Sequence, residues 1–283
     1  MRVFINGQFV PADQARVSVF DRGFLYGDGL FEAIRVVNGR PFRWGQHLQR
    51  LQRGADFLKL AIPYPADQLR LFAGELLEED SAFDGLLRLI VSRGVGRRGY
   101  SPAGADHPTV VLSLHPLSGP AASRPAPRWK LTTASLRLPA GEPLAQFKTC
   151  NKLPQILARA EADAAGADEA LLLNTDGFVV EGSTSNLFWI EAGSVCTPPL
   201  HSGILAGVTR SVILEICRAL GIGITEKNAT ALDLRARDGV FLSLSSYGVV
   251  AAESLEGVAL KSSEIPNKIG AAYQKLLQQE CAR

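Results

Sequence analysis

The opening forty positions carry short apolar runs cut by two Asn-Gly pairs, the pattern of strands joined by tight turns. Val3–Val10 predicts a hairpin, Val17–Phe20 a short strand, and Leu30–Val37 a strand that turns at Asn38-Gly39 into Arg40–Trp44. The period then changes. Leu48, Leu51, Ala55 and Leu58 fall on one helical face, and Ala66–Glu79 repeats the spacing through Leu69, Phe72 and Leu76. Strands return at Leu86–Ser92 and Thr109–His115, on either side of the loop RGVGRRGYSPAGADHP.

The stretch PLSGPAASRPAPR, residues 116–128, is rich in proline, alanine and serine and poor in large apolar residues. It predicts an interdomain linker at 118–128, between a smaller domain at 1–117 and a larger one at 129–283. The second half opens with a strand at Trp129–Ala134 and reaches FKTCNKLPQILARA, where Pro154 sits in the first turn of a helix. Strands fit Ala170–Leu173, Phe178–Val180 and Asn186–Ile190. A helix after Gly207 aligns Val208, Val212, Ile216 and Leu220, and the chain finishes with a strand at Val240–Leu244 and a helix through Ile269, Ala272 and Leu276. The alternation predicts a two-domain α+β or α/β protein without the βαβ rhythm of a nucleotide-binding fold.

Composition narrows the function by exclusion. Thirty basic against 28 acidic residues give a formal charge of +2, with no long basic run, so nucleic acid and anionic membranes are not expected partners. The N-terminus reads as strand, turn and strand rather than a signal peptide, and Val240–Ala252 is too short and too interrupted to span a bilayer. Four widely spaced cysteines, Cys150, Cys196, Cys217 and Cys281, form no CxxC pair, which suits a reducing cytoplasm. Phosphate loop, GxGxxG, GxSxG and metal-spaced histidines are all missing, so no metal is expected.

Against that background Lys148 stands out, a lysine just ahead of a helix in a chain that prefers arginine. A lysine amine can form an imine when its proton is removed; a guanidinium cannot. Further on, VVEGSTSNLF places Glu181 at a strand end, and AGVTR opens a helix whose first N–H groups, at Val208 and Thr209, suit a phosphate.

FKTCNKL, VVEGSTSNLFWI, GVTR and GDGLFEAIRV, in this order and at these separations, resemble the fold type IV, or class IV aminotransferase, family of pyridoxal-phosphate enzymes. The similarity runs from the first hairpin to about residue 250. It implies pyridoxal 5′-phosphate as cofactor, held between two domains of a homodimer. Lys148 would bind it covalently and then act as acid and base, and Glu181 would keep the pyridine nitrogen protonated. Arg50, Val208, Thr209 and Ser245 would cradle the phosphate. The loop SRGVGRRGYSP, residues 92–102, resembles that of 4-amino-4-deoxychorismate lyases, and Phe31 stands where D-amino acid aminotransferases tend to carry tyrosine. The resemblance therefore implies a lyase of folate biosynthesis, with Arg97 as first choice for the substrate carboxylate, Arg35 and Arg98 behind it, and Tyr100 beside them. A D-amino acid or branched-chain aminotransferase is the alternative.

Overall fold

The computed structural model describes residues 1–80, 82–117 and 128–282. The expected linker at 118–128 lies outside the described residues except for Arg128. Chain contacts group into two units: residues 1–117, 147–152 and 277–283, and residues 118–146 with 153–276.

Among its described residues the first unit holds a six-stranded sheet in the order β2-β1-β6-β5-β3-β4. The strands are β1 (Arg2–Ile5), β2 (Gln8–Pro11), β3 (Gly29–Val37), β4 (Arg40–Pro41), β5 (Gly85–Ser92) and β6 (Thr109–Pro116). Both Asn-Gly turns form, with positive φ at Asn6, Gly7, Asn38 and Gly39, the backbone that a two-residue hairpin requires. Three helices accompany the sheet: α1 (Arg22–Tyr26), α2 (Trp44–Leu58) and α3 (Ala66–Glu78). One sheet face is the core, where Leu30, Ile34, Val36, Leu87, Leu89, Val91, Val110 and Leu112 are buried with Leu48, Leu51 and Leu76. The opposite face carries Phe31, Ala33, Leu86, Arg88 and Ile90, because strand side chains alternate.

Two expectations are corrected here. Val17–Phe20 is not a strand, since Val17, Val19 and Phe20 are exposed and pair with no neighbour. Lys148, assigned to the larger second domain, groups instead with the first unit. Thr149 bridges Leu30, the Phe31 N–H donates to the Lys148 carbonyl at 2.9 Å, and the Cys150 N–H donates to the Gly29 carbonyl at 2.8 Å. The lysine segment is thus laced to β3.

The second unit is built on β7 (Trp129–Leu138), β8 (Glu169–Asn174), β9 (Val179–Gly182), β10 (Asn186–Glu191), β11 (Ser194–Thr197), β12 (Ile224–Glu226), β13 (Gly239–Leu244), β14 (Gly248–Leu255) and β15 (Val258–Ala259). Strands β10, β13, β14, β7, β8 and β9 follow one another, and the Glu181–Asn186 pairing joins β9 back to β10, so the six close into a ring. Strand β14, unread in the sequence, sits between β13 and β7 with Val250, Ala252 and Leu255 buried. Helices α4 (Leu153–Ala164), α5 (Val208–Ala219) and α6 (Ala231–Ala236) flank the ring, and α7 (Ile265–Glu280) follows it. Among the described residues no helix is long and apolar enough to cross a membrane.

Candidate active site

In the first unit, the lysine Nζ lies 4.8 Å from the centroid of the Phe31 ring, and the Arg88 guanidinium carbon lies 4.4 Å from the same ring. Arg88 faces Ala33 across the β3–β5 ladder, two residues along from Phe31, and so shares its side of the sheet. The sequence reading missed Arg88. Its signal was the period-2 pattern of LLRLIVS, in which Leu87, Leu89 and Val91 point to the core and Arg88 away from it. Cys150 is close to this group, and burial pushes its thiol up to about 11, the behaviour of a structural cysteine rather than a nucleophile.

On the core side of β3, Glu32 is 0% exposed and receives Arg50 and His47. Arg50 donates from Nε to Oε1 at 2.9 Å and from Nη2 to Oε2 at 2.5 Å, while His47 Nδ1 lies 2.7 Å from Oε2. Arg50 lies off the leucine face of α2, yet it is 4% exposed. At Gly54, one turn along α2, the helix packs tightly on β3: a Cβ there would stand 3.0 Å from the Leu30 side chain. Burial works against the Glu32 charge, but the Arg50 charge and the hydrogen bonds from His47 and Arg50 outweigh it and hold the carboxyl at about 2. Burial keeps His47 below its ordinary value despite Glu32, so at neutral pH the uncharged ring donates its Nδ1–H.

The loop after β5 is held from beneath. Arg22, 4% exposed, donates from Nη1 to the carbonyls of Gly99 (2.9 Å) and Ser101 (3.1 Å), and from Nη2 to that of Tyr100 (3.1 Å). Its Nε meets Asp28 at 2.8 Å, and Asp28 also receives Arg93 Nε at 2.9 Å. Burial opposes the Asp28 charge, and Arg93 and Arg22 together overcome it and keep the carboxyl below its ordinary value. Arg97 and Arg98 are exposed on this loop, and Tyr100, 87% exposed, meets the Tyr26 ring edge-on at 5.6 Å. Arg35 is not with them. It is buried, donates to the Val36 and Gly85 carbonyls and pairs with Asp84. It also sits opposite Leu86, six residues of strand or roughly 20 Å from Ser92, where the loop begins.

Arg22→Ala is expected to loosen this loop, because three charge-assisted bonds to backbone carbonyls are lost together. Trypsin should then cut after Arg97 or Arg98 about tenfold faster, since the population of the open loop governs the cleavage rate. A cleavage rate equal to that of the unaltered protein would show that the loop is held some other way.

In the second unit, Glu181 lies one residue before the end of β9, is buried, and accepts the Leu205 N–H on Oε2 at 2.9 Å. Helix α5 begins at Val208 behind Gly207, with no side-chain cap on its N-terminus. A Cβ on Gly207 would fall 2.0 Å from Asn186 Oδ1, so any side chain there would displace Asn186. Val208 and Thr209 are buried in its first turn, and Ser245, half-buried, lies in the turn between β13 and β14. A buried carboxylate at a strand end and an uncapped helix start behind a cramped glycine are what a protonated pyridine nitrogen and a phosphate require.

A model of the amino-transferase class IV family matches residues 29–255. The chain belongs to the class IV aminotransferases. Its fold is type IV, and its cofactor is pyridoxal phosphate. Among solved structures, the branched-chain aminotransferase of Thermoproteus uzoniensis is 30% identical with a TM-score of 0.91, over 99% of this chain and 96% of its own. The 4-amino-4-deoxychorismate lyase of Pseudomonas aeruginosa is 34% identical with a TM-score of 0.83, over 98% of each chain. A D-alanine aminotransferase of Listeria monocytogenes is 33% identical, over 91% of this chain and 89% of its own. Proteins this similar to the chain bear the names of both lyases and aminotransferases.

Proposed function

We propose that this class IV enzyme is a 4-amino-4-deoxychorismate lyase, releasing 4-aminobenzoate and pyruvate in folate biosynthesis. One observation carries the reading: the RGVGRRGYS loop is held in shape by Arg22 and presents Arg97 and Arg98 outward. Arg88, beside Lys148 on the Phe31 ring, adds a third guanidinium, and a substrate with two carboxylates calls for such partners. The likeness to the Pseudomonas aeruginosa lyase supports the same choice.

We assign Lys148, Arg50, Glu181, Val208, Thr209 and Ser245 to the cofactor. Pyridoxal phosphate, when bound, supplies an electron sink for the carbon beside the substrate nitrogen. Glu181 holds a carboxylate for the ring nitrogen, and the α5 N-terminus, Arg50 and Ser245 neutralise the phosphate. The Lys148 amine takes the proton from the substrate ring carbon. Loss of the enolpyruvyl ether then aromatises that ring, and the departing enol gains a proton to become pyruvate. No oxidant, reductant or amino acceptor enters the balance. The exposed run of Val17, Val19, Phe20, Phe24 and Leu25 supports the homodimer implied by the family resemblance.

A second reading, amino-group transfer from branched-chain or D-amino acids, is favoured by the Thermoproteus uzoniensis likeness. One assay separates them. Given aminodeoxychorismate without any keto acid, the purified enzyme should yield pyruvate and 4-aminobenzoate in equal amounts. Silence in that assay, together with turnover of leucine or D-alanine with 2-oxoglutarate, would make it an aminotransferase.

A further inference from the structure

Behind the strand end that presents Glu181 lies a second carboxylate for which the chemistry above has no use. Glu169 opens β8 and is 0% exposed. Its Oε1 accepts the N–H groups of Ala170 and Ser183, each at 3.0 Å, and the Ser183 hydroxyl. Its Oε2 accepts the Thr184 N–H at 3.2 Å, the Thr184 hydroxyl at 2.7 Å and the Ser185 hydroxyl at 3.0 Å. All six partners are donors and none is a cation, so the pocket suits a group that only accepts.

Five of these six bonds end on Ser183, Thr184 and Ser185, the turn from β9 to β10. The turn is closed by the Gly182 N–H donating to the Ser185 carbonyl at 2.7 Å. A Cβ on Gly182 would lie 2.3 Å from Ser185 Oγ and 3.0 Å from the Glu169 carboxyl carbon, so the turn is pressed directly onto Glu169. The residues flanking it are Glu181 and Asn186, which face each other across the ladder. Both grip Leu205: its N–H donates to Glu181 Oε2 at 2.9 Å, and Asn186 Nδ2 donates to its carbonyl at 3.0 Å. Three residues later α5 begins.

We propose that Glu169 is a positioning residue for the cofactor site: by fixing the 183–185 turn it sets both the Glu181 carboxylate and the path of residues 205–207 into the N-terminus of α5. The inference rests on the assignment of Glu181 to the ring nitrogen and of α5 to the phosphate. In this view Glu169 touches neither substrate nor cofactor, yet it couples the two ends of the cofactor's binding surface on this unit.

Glu169→Gln sets an amide NH2 against a ring of donors, and Thr184→Val removes one hydroxyl from an exposed position that tolerates the change. Hydrogen exchange is measured on both variants without cofactor, followed by titration with pyridoxal phosphate. For Glu169→Gln, amides of 181–186 and 205–209 should exchange about tenfold faster while those of α4 keep their rates, and the dissociation constant should rise about tenfold. Thr184→Val should show the same pattern at about threefold. A variant that melts lower but exchanges evenly faster throughout, with unchanged cofactor affinity, would reduce Glu169 to a structural residue and overturn the proposal. If Glu169→Gln does not fold, Thr184→Val decides alone: unchanged exchange at 205–209 and unchanged affinity refute it. Failure of the cofactor assignment looks different. Glu181→Gln would then leave the pH dependence of the loaded enzyme's visible absorption as it was, while the exchange measurement still judges the coupling.

Discussion

Lys148→Ala is expected to lower turnover by about 10³-fold or more if, as proposed, its one amine supplies both the covalent hold on the cofactor and the proton transfer. The fold should survive the change. What anchors this segment is its backbone, through the Lys148 carbonyl to Phe31 and the Cys150 N–H to Gly29, and neither bond involves the side chain. The contact with the Phe31 ring contributes about 0.5–1 kcal/mol at a half-exposed site, small beside a whole domain's stability. The variant should therefore unfold near the temperature of the unaltered protein while turning over almost nothing. Small added amines should restore part of the activity, because the missing function is a base of the right kind in the right place. Borohydride reduction of the loaded, unaltered enzyme should place the cofactor on the peptide that contains Lys148. Recovery of the label on Lys152 would sink the assignment.

Glu32→Ala should destabilise the first unit by about 3–5 kcal/mol, the cost of leaving a buried cation without its partner. Arg50 sits at 4% exposure with two donors aimed at Glu32, and His47 aims a third. Removing the carboxylate strands all three where water cannot replace it. If Arg50 holds the phosphate as proposed, the same variant should bind pyridoxal phosphate more weakly, as Arg50 loses the bidentate contact that orients its guanidinium. The effect carries a pH signature. The folded-state value of Glu32 is depressed to about 2, so its stabilisation is fully present above the unfolded carboxyl's value of about 4.3. It is lost as pH falls from there through about 2. Urea unfolding at pH 7 and at pH 3 should accordingly show a wide gap between the two proteins at neutral pH and a narrower one in acid. An equal gap at both would mean that Glu32 is not the charged centre of this cluster.

Much of this protein can be read without any tertiary information, because the relevant signals lie within a few residues of one another. Asn6-Gly7 and Asn38-Gly39 announce their hairpins, since they are the residues that accept the required φ. Leu48, Leu51 and Ala55 announce α2 by spacing, and the ordered motifs around Lys148, Glu181 and Val208 announce the family. The same local reasoning failed at Val17–Phe20, where an apolar run suggested a strand but no partner strand lies beside it. It also passed over β14, whose alanines and Glu253 blur the apolar pattern although β13 and β7 cover it on both edges.

What distance in sequence hides, only packing could decide. Thr149 finds Leu30 across more than a hundred residues, and that pairing, not the order of segments, puts Lys148 in the first unit and beside Phe31. Arg88 was visible as the outward residue of its strand, but the register that sets it opposite Ala33 chose the ring it shares with the lysine. Arg50 lies off the leucine face of its helix, and only the fold shows it buried against Glu32. The sequence alone determined that this chain is a class IV pyridoxal-phosphate enzyme, because a cofactor demands particular residue types in a particular order. The tertiary structure decided which charges are buried, paired and aimed, because those properties depend on contacts between segments that no local period records.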